Sequence, residues 1–252
     1  LNKKINKINI NSWFNFLLVL FVVFFKTPPF TSGWAPSEWF KVARGYFGLF
    51  VGRSDNSAFL TPNSPRTFFY DVFTGGIVEI FDLEYGYIII KSTSILLVAY
   101  SIYRILNALE LNLGQQILVL SIFVLNQDLI GGNEVIGIFE EDRFAVSFSL
   151  IALSYWLEQD FKKYSVFTLL SIFTHIQIGL FWFAFVSIYE LIRKNKEYIK
   201  TLRLIILFSL PVVLPTGFEF LFGQDEIVYA FNKPSSWVYT FIFQAFHVAP
   251  FE

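Results

Sequence analysis

Side chains capable of chemistry are few in this 252-residue chain, and they fall into three groups. Carboxylates gather in two stretches: Glu38, Asp55, Asp71, Glu79, Asp82 and Glu84, then Asp128, Glu134, Glu140, Glu141 and Asp142. Arg53, Arg66 and Arg143 interleave with them. The third group is THIQIG, with His175, Gln177 and Gly179 inside an apolar run from Tyr164 to Ile192. A carboxylate can take a proton from a hydroxyl acceptor or hold a divalent cation. A guanidinium can grip a phosphate through its planar fork. Polar groups inside a membrane-length apolar run are costly, so by default they read as a functional site. Together these groups suit sugar transfer from a lipid-linked phosphosugar. The alternative for any single carboxylate is a solvated loop residue.

The elements that must position these groups follow from hydropathy. The chain is 55% hydrophobic and 15% charged, with mean hydropathy +0.55, against about 25% charged in soluble domains. Several apolar runs recur, so the expected fold is all-α: a polytopic transmembrane bundle of about seven or eight segments, with the lipid bilayer as partner. There is no cysteine, which excludes disulfides and thiolate metal sites. Two histidines, His175 and His247, are too few for a His-rich metal site. No basic patch of the nucleic-acid-binding kind is present.

Lys3, Lys4 and Lys7 precede the apolar run Trp13–Phe25. Without a small-residue cleavage site after it, this reads as an uncleaved first span with a cytoplasmic N-terminus. Residues 27–85 then form a long extracytoplasmic loop. Ser37–Gly52 and Phe68–Tyr87 are expected as amphipathic surface helices, the second entering the next span, with Gly75 and Gly76 weakening the case for its continuity. Further spans are expected at Tyr87–Ile105, Leu113–Ile130, Phe144–Leu157, Leu202–Leu214 and Val238–Val248, with Lys91 snorkelling to the interface. The chain ends inside an apolar segment, so it is expected to be a fragment lacking C-terminal residues.

Tyr164–Ile192 is the difficult stretch. As one helix its 29 residues would measure about 43 Å, against a hydrocarbon core of about 30 Å. It would also carry the basic segment Arg193–Lys200 to the outside. A hairpin folded back near His175–Gly179 keeps that segment inside, and each arm must then be shielded by other helices. The hairpin is the reading adopted.

Two patterns carry a family resemblance. Arg53-Ser54-Asp55 stands in the long first loop, and Arg143-Phe144-Ala145 leads through Lys162-Lys163-Tyr164 to His175 and Gly179. This arrangement resembles GT-C polytopic glycosyltransferases and their bacterial relatives, and also EpsG-like polysaccharide polymerases. The resemblance implies an inner-membrane protein of glycan assembly using a polyprenyl-phosphate-linked sugar. It also implies Asp55 or Asp71 as catalytic base, with a divalent cation as the possible cofactor. Arg53 and Arg143 would bind phosphate, and His175 and Gln177 would orient substrate. A transporter or non-enzymatic membrane subunit is the alternative from a different class.

Overall fold

The computed structural model describes residues 10–26, 46, 68–126 and 141–222. All regular structure among them is helical: α1 (Ile10–Lys26), α2 (Phe68–Ala108), α3 (Leu113–Asn126), α4 (Glu141–Leu157), α5 (Phe161–Thr174), α6 (Ile176–Ile192) and α7 (Lys196–Phe222). Arg53, Asp55, the helix expected at Ser37–Gly52, His247 and the last apolar piece Val238–Val248 lie outside the described residues. Two helices are long and apolar enough to cross a membrane, Phe69–Ala108 and Lys196–Thr216. Trp13–Phe25, Leu113–Val124, Arg143–Leu157 and Ile176–Ile192 are apolar but shorter.

The helices alternate in direction. Phe16 near the start of α1 meets Tyr103 near the end of α2, with ring centroids 5.5 Å apart. Val19 and Val23 continue that seam against Ile95, Val98, Ala99, Ile102 and Leu106. Short turns join α2 to α3, α4 to α5 and α6 to α7, each through one residue in the left-handed region: Glu110, Gln159 and Lys194. Asp160 then caps α5 by accepting from the Lys163 N–H, and Asn195 caps α7 by accepting from Glu197 and Tyr198. These turns lie at one end of the bundle. Both carboxylate oxygens of Glu158 accept from Arg104 Nη2 at 2.8 Å, which joins the end of α2 to the α4–α5 turn. Trp156 Nε1 donates to Glu190 at 2.8 Å, joining α4 to the end of α6.

α2 is where the structure departs most from the sequence expectation. Its helix runs straight through Gly75 and Gly76 and breaks instead at Asp82 (φ 71°, ψ 164°). That conformation is strained for any residue with a Cβ. A Cβ on Gly86 would lie 3.2 Å from Val78 Cα, so the two arms, 68–81 and 83–108, approach closely beside the break. The first arm does not lie free on a surface: Tyr70, Asp71, Thr74, Gly75 and Val78 form its buried face. Phe69 meets Phe148, while Tyr70 and Phe73 meet Phe144, so this arm runs antiparallel to α4.

Tyr164–Ile192 is a hairpin whose helices are separated by one extended residue, His175 (φ −152°, ψ 104°). Tyr164 near the start of α5 reaches Tyr198 at 3.4 Å, and Tyr198 bonds Ser187 near the end of α6 at 2.7 Å. α5 is only 14 residues long and is enclosed by α4, α6 and α7. α7 begins at Lys196 rather than Leu202 and continues through Pro211 and Pro215.

Many large apolar side chains face outward, and several polar ones lie inside beside the hydrophobic clusters. Phe21, Phe25, Leu118, Phe181, Phe185, Leu207 and Phe208 are all more than half exposed. Ser101, Ser147, Ser154, Thr174 and Glu190 are fully buried.

Candidate functional site

The end opposite the three short turns holds the charged groups that the apolar helices enclose. On the first arm of α2, Asp71 is 3% exposed and Thr74 is fully buried on the same face. The Thr74 hydroxyl donates to Tyr70 O at 2.9 Å, which leaves the helix intact while burying the hydroxyl. On the second arm, Lys91 is 5% exposed. Its Nζ is 3.4 Å from the Tyr87 hydroxyl, one turn earlier on the same face. On α4, Arg143 is 5% exposed in the first turn, with Ser147 buried one turn later.

The residues next to these three in sequence share one buried cluster. Tyr70, Tyr87, Ile90 and Phe144 belong to one buried cluster, and each of the three charges is adjacent to a member of it. Asp71, Lys91 and Arg143 all make further interactions within the fold. One carboxylate and two cations are thus each buried next in sequence to a member of one cluster that draws on both arms of α2 and on α4. Burying charge in an apolar surround costs several kcal/mol per group unless it is compensated, so the grouping asks for a reason beyond packing. Chemically, two cations can hold a phosphate oxygen, and a carboxylate beside them can accept a proton.

Lys91 corrects the sequence reading. It is buried within the fold, with its Nζ toward the Tyr87 hydroxyl one turn earlier. The available signal was a lysine within the apolar stretch Tyr87–Ile105, which the default for intramembrane charge would have flagged.

His175 is half-buried at the hairpin apex, at the same end as Arg143. Ser171, one turn before it, donates to Ala145 O at 2.8 Å and lies 2.8 Å from Ser149 Oγ. Small side chains on both helices permit this approach. Gln177 is exposed on the first turn of α6. An open groove of about 640 Å³ adjoins the α2 break, lined by Tyr46, Val78, Glu79, Asp82 and Tyr85 among others. Val78 belongs to the buried cluster too, and Tyr46 packs against it, so the groove abuts the charged site. Among the described residues, no three His, Asp or Glu side chains gather as ligands for a divalent cation.

No family model matches the chain, and neither a curated protein nor a solved structure matches it. The chemistry must therefore be argued from the residues themselves.

Proposed function

We propose that this chain is a multi-pass membrane protein of glycan assembly that transfers a sugar from a polyprenyl-phosphate-linked donor. The observation that carries this reading is that Asp71, Lys91 and Arg143 are each buried, next to members of one cluster, in helices with exposed apolar side chains. Lys91 and Arg143 would hold the lipid phosphate, and Asp71 would deprotonate the acceptor hydroxyl. Asp55 and Arg53 keep the roles expected from the sequence, as a second candidate base and phosphate ligand. His175, at the hairpin apex, would orient the bound lipid phosphate.

The exposed apolar faces support seven or eight membrane segments, including helices too short to cross alone as ideal straight spans. The basic turns would face the cytoplasm with the N-terminus, and the charged site would face outward. The bacterial inner membrane is the location that the family resemblance implies.

The test is transfer of radiolabelled sugar from a set of polyprenyl-phosphate sugars in membranes carrying the full chain. Asp71→Asn is expected to lower turnover about 100-fold or more. Lys91→Gln and Arg143→Gln are expected to raise the donor concentration needed for half-maximal rate. Transfer that is undiminished in Asp71→Asn, Lys91→Gln and Arg143→Gln alike would dismiss this site.

A further inference from the structure

α7 carries a second feature, far from the buried charges. Lys196, Lys200 and Arg203 recur at helical spacing on one exposed face. The same face continues through Leu207, Leu210 and Leu214, all exposed. The opposite face is the buried one, with Tyr198, Thr201, Ile205, Ser209 and Val212. One helix surface therefore changes from three cations to three leucines within a few turns. At the same end Arg104 pairs with Glu158, Lys163 with Asp160, and Arg193 lies 3.9 Å from Glu190, while Lys162 and Lys194 are exposed at the turns rather than on this stripe. Among the described residues, Lys196, Lys200 and Arg203 form no ion pair.

We infer that this stripe is a binding site for an anionic phospholipid. The headgroup phosphate lies against Lys196, Lys200 and Arg203, and an acyl chain follows Leu207, Leu210 and Leu214. The charge is complementary to a phosphodiester, and the leucines supply the apolar track that a free phosphate would not need. A lipid-facing helix presents such a surface at the level where headgroups meet hydrocarbon. The inference rests on the membrane part of the proposed function, and it is independent of the chemistry at Asp71.

Two measurements separate them. An alkaline carbonate wash of membranes carrying the full chain tests the membrane reading: retention is expected, and release would overturn both. Native mass spectrometry of the detergent-purified chain then compares bound phosphatidylglycerol with phosphatidylcholine. Phosphatidylglycerol is expected to be preferred, with each of Lys196→Gln, Lys200→Gln and Arg203→Gln lowering the ratio about fivefold at low salt. The triple variant is expected to bind the two lipids nearly equally. Retained preference in that triple variant would overturn the inference. So would an equal loss in the matched variant Lys162→Gln, Lys163→Gln, Arg193→Gln, because the effect would then be diffuse charge. Full competition by inorganic phosphate would point to a free anion instead. Oxidative cross-linking of Leu207→Cys into dimers, in a chain with no other cysteine, would assign the face to a second copy.

Discussion

Gly179 is the position where one added methyl group tests the α5–α6 hairpin most directly. A Cβ there would lie 2.4 Å from Ile172 N and 2.5 Å from Ile172 Cα. Ordinary contact begins near 3.4 Å, so the two backbones must part by roughly 1 Å. Neither obstructing atom belongs to a side chain that can rotate away. Overpacking of this kind costs about 1–3 kcal/mol even after relaxation, and backbone obstruction belongs at the upper end. Replacing glycine by alanine in a helix returns about 1 kcal/mol. The net expectation for Gly179→Ala is a loss of about 2 kcal/mol. Gly76 provides the control, since a Cβ there meets nothing within 4 Å. Gly76→Ala is expected to gain about 0.5–1 kcal/mol from the same propensity term. Both are measured by SDS-induced unfolding in mixed micelles, followed by tryptophan fluorescence and far-ultraviolet circular dichroism. Opposite signs support the close approach at Gly179. A Gly179→Ala chain as stable as the parent refutes it, and with it the placement of His175 at a tight apex beside α4.

Two further expectations concern the end with the short turns. Glu190 is fully buried and accepts from Trp156 Nε1 and Asn195 Nδ2, each at 2.8 Å. Glu190→Ala strands both donors and is expected to cost about 3 kcal/mol in the same unfolding assay, whereas Glu190→Gln, which keeps one acceptor, recovers most of it; equal losses would show that volume rather than hydrogen bonding matters. Because the chain lacks cysteine, single cysteines at Tyr85 and Lys194 report topology cleanly. An impermeant thiol reagent on intact cells is expected to label Tyr85→Cys and to spare Lys194→Cys, and labelling of both would remove the proposed alternation.

The hairpin was legible in the sequence because two general constraints agreed. The Tyr164–Ile192 run exceeds one membrane thickness, and the basic Arg193–Lys200 segment needs the same side as Lys162 and Lys163. The break at His175 is where that argument put it. Asp71 and Arg143 were singled out by residue type and are buried, whereas Lys91, a charge inside an apolar run, was read as an interface lysine. The break in α2 falls at Asp82, and aspartate carries no signal for that backbone conformation comparable to the glycines six and seven residues earlier. Those glycines misled for a physical reason: packing against α4 holds the first arm helical and outweighs their weak propensity. Gln177 was grouped with His175 by proximity in sequence; the structure leaves Gln177 exposed on the first turn of α6 and His175 half-buried.

The sequence by itself determined the class of structure, because hydropathy and helical hydrogen bonding are local properties of each run. It set the start of α3 at Leu113, the end of α4 at Leu157 and the existence of the hairpin. Tertiary structure alone decided which charges are buried near one another's neighbours. Asp71, Lys91 and Arg143 are 20 to 72 residues apart, and only the fold of α2 against α4 brings their neighbours into one cluster. Packing also decided which cations remain open to a ligand: Arg104 and Arg193 meet carboxylates from the helix ends around them, while the exposed face of α7 leaves Lys196, Lys200 and Arg203 turned outward.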